Sequence, residues 1–286
     1  MNAQGSRAPS AQESLSPPVE STTAMTSKRS PVGDAVNVDA HQAAPPASIR
    51  AVLFDLDGTL YPKLGLRACM AAELALLPLT GRSVAGAREV WRQLRGFRRI
   101  REGLRALEDG EPDLARHQYA EAGRRLAVDP QALERLIEVW IHQRPLKYMR
   151  LVRRPGLAAL LERLRERGLR LGVFSDYPAR DKLAAMGILA EIDLVLDAED
   201  PAVSALKPHP KGLLEAARRW GLSPHEVLYV GDRPDIDGRA AERAGMPCTI
   251  IGGRLPHTGE HWRAVRNLSQ IEAWMGLVSP DPVGRA

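Results

Sequence analysis

Ser175 lies 118 positions beyond Asp57, and both stand at the end of a short apolar run that reads as a β-strand. A crossover between neighbouring parallel strands needs only a few dozen residues. The excess therefore demands a second unit inserted between the first two strands. Its pattern is helical from about residue 61 to 150: Trp91, Leu94, Phe97, Leu104 and Leu107 are spaced by three, four or seven, and Leu133, Leu136, Ile137, Trp140 and Ile141 follow the same rule. Trp91 and Phe97 both read as core of this helical block.

The strand-like runs are Ile49–Phe54, Leu169–Phe174, Leu194–Leu196, Val227–Val230 and Thr249–Ile251, and beyond the insertion each is separated from the next by a segment of helical pattern. Leu157, Leu160, Leu161 and Leu164 form one apolar stripe, opened by Pro155-Gly156 and closed at Gly168. Buried strands alternating with amphipathic helices predict an α/β fold, a Rossmann-like parallel sheet covered by helices on both faces, with an all-helical cap inserted. The expected division is residues 49–60 and 151–253 for the α/β core, 61–150 for the cap, and 254–286 for an extension holding one short helix at Leu268–Met275. Residues 1–48 contain no aromatic residue but six Pro and eight Ser, a composition that buries little and predicts a disordered tail.

No run approaches the roughly 18–20 apolar residues that cross a bilayer, and no apolar block marks a secretion signal. Cys69 and Cys248 are too few for a disulfide framework or a zinc site. A cytoplasmic protein with no membrane partner is the expectation. Residues 61–150 hold 17 Lys or Arg against 11 Asp or Glu, while the whole chain is +5, so the cap carries the positive charge. An anionic ligand suits a basic lid. Nucleic acid is not the expected partner, because the eight arginines between Arg82 and Arg105 alternate with apolar residues as a solvated helix face does.

Four constellations fall at strand ends or on the loops beside them. Asp55-Leu-Asp57-Gly58-Thr59-Leu60 places two carboxylates where a divalent metal would compensate their repulsion, although an Asx-type turn uses the same residues. Ser175-Asp176 offers a small hydroxyl that can donate to a phosphoryl oxygen, or cap the helix beginning at Pro178. Lys207-Pro208-His209-Pro210 holds a lysine at a stiffened loop tip, suited to neutralising a carboxylate and a phosphoryl group together, with His209 read as a loop residue. Gly231-Asp232-Arg233-Pro234-Asp235-Ile236-Asp237 is an acidic loop fit for Mg²⁺, in which Arg233 can pair with Asp235 or with Asp176.

In this order the motifs resemble those of the haloacid dehalogenase superfamily, specifically its aspartate-nucleophile phosphohydrolases with a helical cap after the first strand. The likeness spans about Ile49–Gly253 and includes Ala240-Ala-Glu-Arg-Ala-Gly245 after the acidic motif. It implies a Mg²⁺-dependent phosphatase acting on a small phosphorylated metabolite, a phosphate monoester, through an aspartyl-phosphate. Asp55 would be the nucleophile and Asp57 the acid and base. Thr59, Ser175 and Lys207 would bind the phosphoryl group, Asp55, Asp57 (by its backbone carbonyl) and Asp232 would hold the metal, and Asp237 would support them. A sugar-phosphate mutase on the same framework is the alternative reading. Asp176 and Arg233-Pro234 depart from the family pattern, which commonly has an uncharged residue after the hydroxyl and a small polar one after Gly-Asp. The substrate and the oligomeric state are not written in these motifs.

Overall fold

The computed structural model describes residues 49–76, 83–106, 113–252 and 261–275. The segment 1–48, expected to be a disordered tail, lies outside the described residues. Six strands form one sheet in the order β3-β2-β1-β4-β5-β6, every neighbouring pair parallel. They are β1 (Ala51–Phe54), β2 (Arg170–Ser175), β3 (Leu194–Asp197), β4 (Val227–Gly231), β5 (Cys248–Ile251) and β6 (Arg263–Val265). All four residues of β1 are fully buried, because as the central strand it is covered on both faces. Its side chains alternate: Val52 and Phe54 enter one cluster, Ala51 and Leu53 the other.

The first cluster is completed by the leucine stripe of Leu157–Glu166, by Leu183 and Met186 of Arg180–Met186, and by Ile271 and Trp274 of Ser269–Trp274. On the other face Lys211–Trp220 supplies Leu213 and Ala216, and Arg239–Ala244 supplies Ala240 and Ala241. The sheet therefore carries helices on both faces, as the alternation of runs predicts.

Between β1 and β2 the described chain is helical: α1 (Lys63–Leu76), α2 (Val84–Gly103), α3 (Leu114–Leu126) and α4 (Pro130–Ile137), the last running into a π-helical turn at Glu138–Gln143. Side chains of Ser83, Asp113 and Asp129 accept backbone N–H groups at the starts of α2, α3 and α4, the usual device for satisfying a helix's first donors. Val90, Leu94, Phe97, Leu133, Ile137, Trp140 and Ile141 form the insert's own core, with Phe97 stacked on Tyr119 at 5.5 Å.

Two expectations need revision. Trp91 is half exposed, not core, because it follows Val90 by one residue and so points about 100° away from the buried stripe. The extension after residue 253 contributes more than a helix, since Arg263–Val265 pairs with Thr249–Ile251 as a sixth strand and Val265, Leu268, Ile271 and Trp274 are buried in the sheet's core. A three-residue strand is too short to show a period of two.

Candidate active site

Asp55 continues β1 by one hydrogen bond, its N–H donating to the carbonyl of Val230 at 2.8 Å, so its side chain stands at the carboxyl end of the central strand. Ligands bind in this position on open α/β sheets. The next turn depends on Gly58, whose φ of +105° is a conformation L residues avoid and whose missing Cβ leaves room for the Asp232 carboxylate. That turn brings Thr59 back, and its hydroxyl donates to Asp55 Oδ2 at 2.9 Å. The other oxygen, Oδ1, accepts from Lys207 Nζ at 2.5 Å.

Lys207 is buried and spends its donors fully, on Asp55, on Asp237 Oδ1 at 2.7 Å and on the Tyr229 hydroxyl at 3.0 Å. Burial opposes its charge, but Asp237 and Asp55 more than compensate and hold it protonated well above the ordinary lysine range. The remaining oxygen of Asp237 accepts the backbone N–H groups of Asp232 at 3.1 Å and Arg233 at 3.0 Å, fixing the acidic loop. That loop is a π-helical turn, Pro234–Gly238, a rare conformation that recurs at functional sites. Gly231 is required here because a Cβ would collide with Asp237.

Oxygens of Asp55, Asp232 and Asp237 lie within 4.8 Å of one another. Burial, and then the charges of Asp237 and Asp232, push the Asp55 carboxyl up from 3.8 to about 7 despite Lys207. Burial likewise raises Asp232, although Lys63 donates to its Oδ2 at 2.8 Å. A hard divalent cation among oxygen ligands would relieve this crowding, so the residues fit Mg²⁺. Asp237 belongs to this cluster by position.

Asp57 is placed apart from the three. Its carboxylate accepts from Lys182 Nζ at 2.8 Å and from the Tyr61 hydroxyl. Burial alone would raise it, but the charge and hydrogen bond of Lys182, with Tyr61 and Lys63, bring it down to about 2. Ser175 is fully buried and its oxygen accepts from the Tyr177 N–H at 3.2 Å, a turn contact close to the capping role. Its own proton has no acceptor among the described residues. His209 Nδ1 accepts from the Lys211 N–H at 3.1 Å.

Both departures from the family pattern are engaged by α2 and the turn after it. Arg105 reaches Asp176 at 2.8 Å and donates to the carbonyl of Lys207 at 2.5 Å, while Arg233 pairs with Asp235 at 2.7 Å and with Glu102 at 3.1 Å. Asp176 in turn accepts the Lys207 N–H at 3.2 Å. Sequence reasoning did not single out Lys182, Tyr61, Tyr229 or Arg105. Tyr61 alone carries a local signal, directly after the Asp55–Leu60 turn.

A cavity of about 490 Å³ opens between the sheet and the insert, lined by Asp55, Asp57, Lys182, Lys207 and Asp232 from the sheet side and by α1, α2 and the π-helical turn of the insert; the buried Thr59 and Ser175 lie behind this lining. Among the described residues no helix is long and apolar enough to cross a membrane.

Residues 49–245 match the family model for haloacid dehalogenase-like hydrolases. The chain is 35% identical over 204 residues to a glyceraldehyde 3-phosphate phosphatase of Methanopyrus kandleri, covering 69% of this chain and 82% of that protein. It is 31% identical over 217 residues to a phosphoglycolate phosphatase of Escherichia coli K12, covering 70% and 79%. The crystal structure of a HAD phosphatase from Thermococcus onnurineus superposes on it with a TM-score of 0.55 at 27% identity, covering 80% of this chain and 98% of that one.

Proposed function

Since the chain belongs to the haloacid dehalogenase-like hydrolases, we propose that it is a cytoplasmic, Mg²⁺-dependent phosphatase that hydrolyses a small phosphate monoester through a phosphoryl group carried on Asp55. Phosphatase relatives, two of them named for small phosphorylated metabolites, support this reading. The observation that carries it is the state of Asp55: buried at the strand tip, held by Thr59 on one oxygen and by Lys207 on the other, on the floor of a cavity.

A carboxylate so fixed presents its lone pair in one direction, which is the positional gain a covalent mechanism needs. Asp55 attacks phosphorus and the alcohol leaves. Asp57, two residues along, stands beside the reacting group and protonates the leaving oxygen. The incoming phosphoryl charge raises its carboxyl from the low value Lys182 imposes. In the second half Asp57 draws a proton from water, and for that role the ionised state favoured by Lys182 is the correct one. A leaving halide needs no such proton, whereas an alkoxide does. Lys207 meets a phosphoryl oxygen by giving up its bond to Asp55 as that carboxylate attacks, Ser175 meets another through its own proton, and Thr59 acts by orienting Asp55. Asp55, Asp232 and the carbonyl of Asp57 would hold Mg²⁺, with Asp237 fixing the loop; when bound, the ion offsets charge on the transferring group. Residues 61–150 act as the cap that keeps water from the site.

Phosphate release from p-nitrophenyl phosphate, phosphoglycolate and glyceraldehyde 3-phosphate, with Mg²⁺ and with excess chelator, tests the reading. Turnover is expected only with metal, and Asp55→Asn should lower it by at least about a thousandfold. Residual activity of that variant within tenfold of wild type removes Asp55 as nucleophile.

A further inference from the structure

The cavity above Asp55 is larger and more apolar than a small polar ester requires. Its volume of about 490 Å³ has room for roughly sixteen waters at about 30 Å³ each. The sheet side supplies the polar floor. The insert supplies Leu66, Met70 and Leu74 from α1, Trp91 and Leu94 from α2, and Ile141 from the π-helical turn.

Leu66, Met70 and Leu74 recur every four positions and so share one face of α1. Yet no residue of that 14-residue helix is buried. An amphipathic helix normally gives its apolar stripe wholly to the core; here Met70 and Leu74 touch the insert's core and Leu66 the sheet's, yet all three stay only partly buried and border the cavity. Trp91 is 50% exposed and joins no buried cluster, with the Arg95 guanidinium 4.9 Å from its ring centroid. Arg67, Arg95 and Arg98 also line the cavity and, among the described residues, form no ion pair. Such charges draw a dianion toward Asp55 whatever its body. They do not explain the apolar wall.

Resting on the phosphatase reading of the floor, we propose that the alcohol of the substrate carries an extended apolar body, longer than a two- or three-carbon skeleton, which lies against Leu66, Met70, Leu74 and Trp91 while its phosphate meets Asp55. A three-carbon ester fills the floor and leaves the wall in water. A longer apolar chain covers it, and each methylene moved out of water there is worth about threefold to fourfold in affinity.

Calorimetric binding of n-alkylphosphonates, methyl through octyl, to the full chain saturated with Mg²⁺ tests this. A phosphonate keeps the dianion but has no P–O–C bond to cleave, so affinity is read apart from turnover. Affinity should rise about threefold per methylene from ethyl to hexyl. Trp91→Ser and Met70→Ser should each cut the ratio of hexyl to methyl affinity by at least about tenfold. A flat series, or a slope that both variants leave unaltered, overturns the proposal. Release of p-nitrophenol from p-nitrophenyl phosphate by the same preparations separates the two readings: turnover with a flat series sinks the apolar body alone. A rising series without turnover sinks the phosphatase reading and the substrate assignment with it.

Discussion

The Arg105 guanidinium lies 2.8 Å from the Asp176 carboxylate, and with Arg101, which donates to the Asp176 carbonyl, it ties the helical insert to the loop that follows Ser175. Both side chains are largely buried, at 15% and 12% exposure. Arg105 also holds the carbonyl of Lys207, and Asp176 holds its N–H. The backbone of the lysine that meets Asp55 is thus clamped from two sides by one ion pair. Arg105→Met and Asp176→Asn should each lower kcat/KM by about tenfold, because loosening Lys207 misplaces a charge that must sit within about an ångström of its target. A double-mutant cycle by chemical denaturation should give a coupling of about 1–2 kcal/mol. Additive effects would show that the pair does not act as a unit.

The positions of Asp55, Ser175, Lys207 and Asp232 were legible because each follows an apolar run or a stiffened loop, and strand ends are where such sheets gather their polar groups. What the sequence hides is the third dimension. Lys182 sits in a helix between charged and apolar neighbours and becomes a partner of Asp57 only because Arg180–Met186 packs Leu183 and Met186 into the core that also holds Val52 and Phe54 of β1. Tyr229 belongs to a buried strand, where a tyrosine looks like any other core residue until its hydroxyl is found on Lys207 and Asp237. Spacing by three and four could not tell Trp91 from Val90, since a shift of one residue still matches part of the pattern.

The last described segment should be indispensable to the fold. Val265, Leu268, Ile271 and Trp274 are buried against the sheet, and Glu272 is paired with Arg163 at 2.5 Å. Burying four large apolar side chains contributes about 6–12 kcal/mol, as much as the entire stability of a typical domain. A chain ending at residue 252 should fail to unfold cooperatively in urea, with little native circular dichroism. A sigmoidal transition near that of the full chain would mean that β6 and the helix after it merely decorate the edge.

Lys182 should matter for stability as well as for Asp57. Its side chain is 5% exposed, with the Asp57 carboxylate 2.8 Å away. Removing one member of a buried ion pair strands the other, at a cost of about 3 kcal/mol. Lys182→Met should therefore unfold at distinctly lower urea concentration than wild type. Adding Asp57→Asn should restore most of the loss, because the stranded charge is gone. A double variant no more stable than Lys182→Met would show that packing of the lysine stem, not its charge, is what counts.

Crowding at Asp55 predicts how metal and pH act together. Its carboxyl rises from 3.8 to about 7 in the folded protein, first through burial and then through Asp237 and Asp232. Between those values the folded state binds more protons than the unfolded one, so the contribution of this group to stability is greatest below pH 4 and falls as pH rises to about 7. His142, which burial lowers to about 4, works in the opposite direction over part of the same window, so the test must be a difference. Mg²⁺ requires ionised carboxylates and competes with the proton on Asp55 at pH 5 but hardly at pH 8. The rise in Tm on adding saturating Mg²⁺ should therefore be larger at pH 8 than at pH 5. The gap is up to about 3 kcal/mol, at about 1.4 kcal/mol for each of the two pH units between 5 and about 7, worth several degrees at about 2–4 °C per kcal/mol. In Asp55→Asn, which cannot titrate there, the dependence of the Mg²⁺ effect on pH should largely disappear. Equal shifts at both pH values in the wild type would mean that the cation does not engage Asp55.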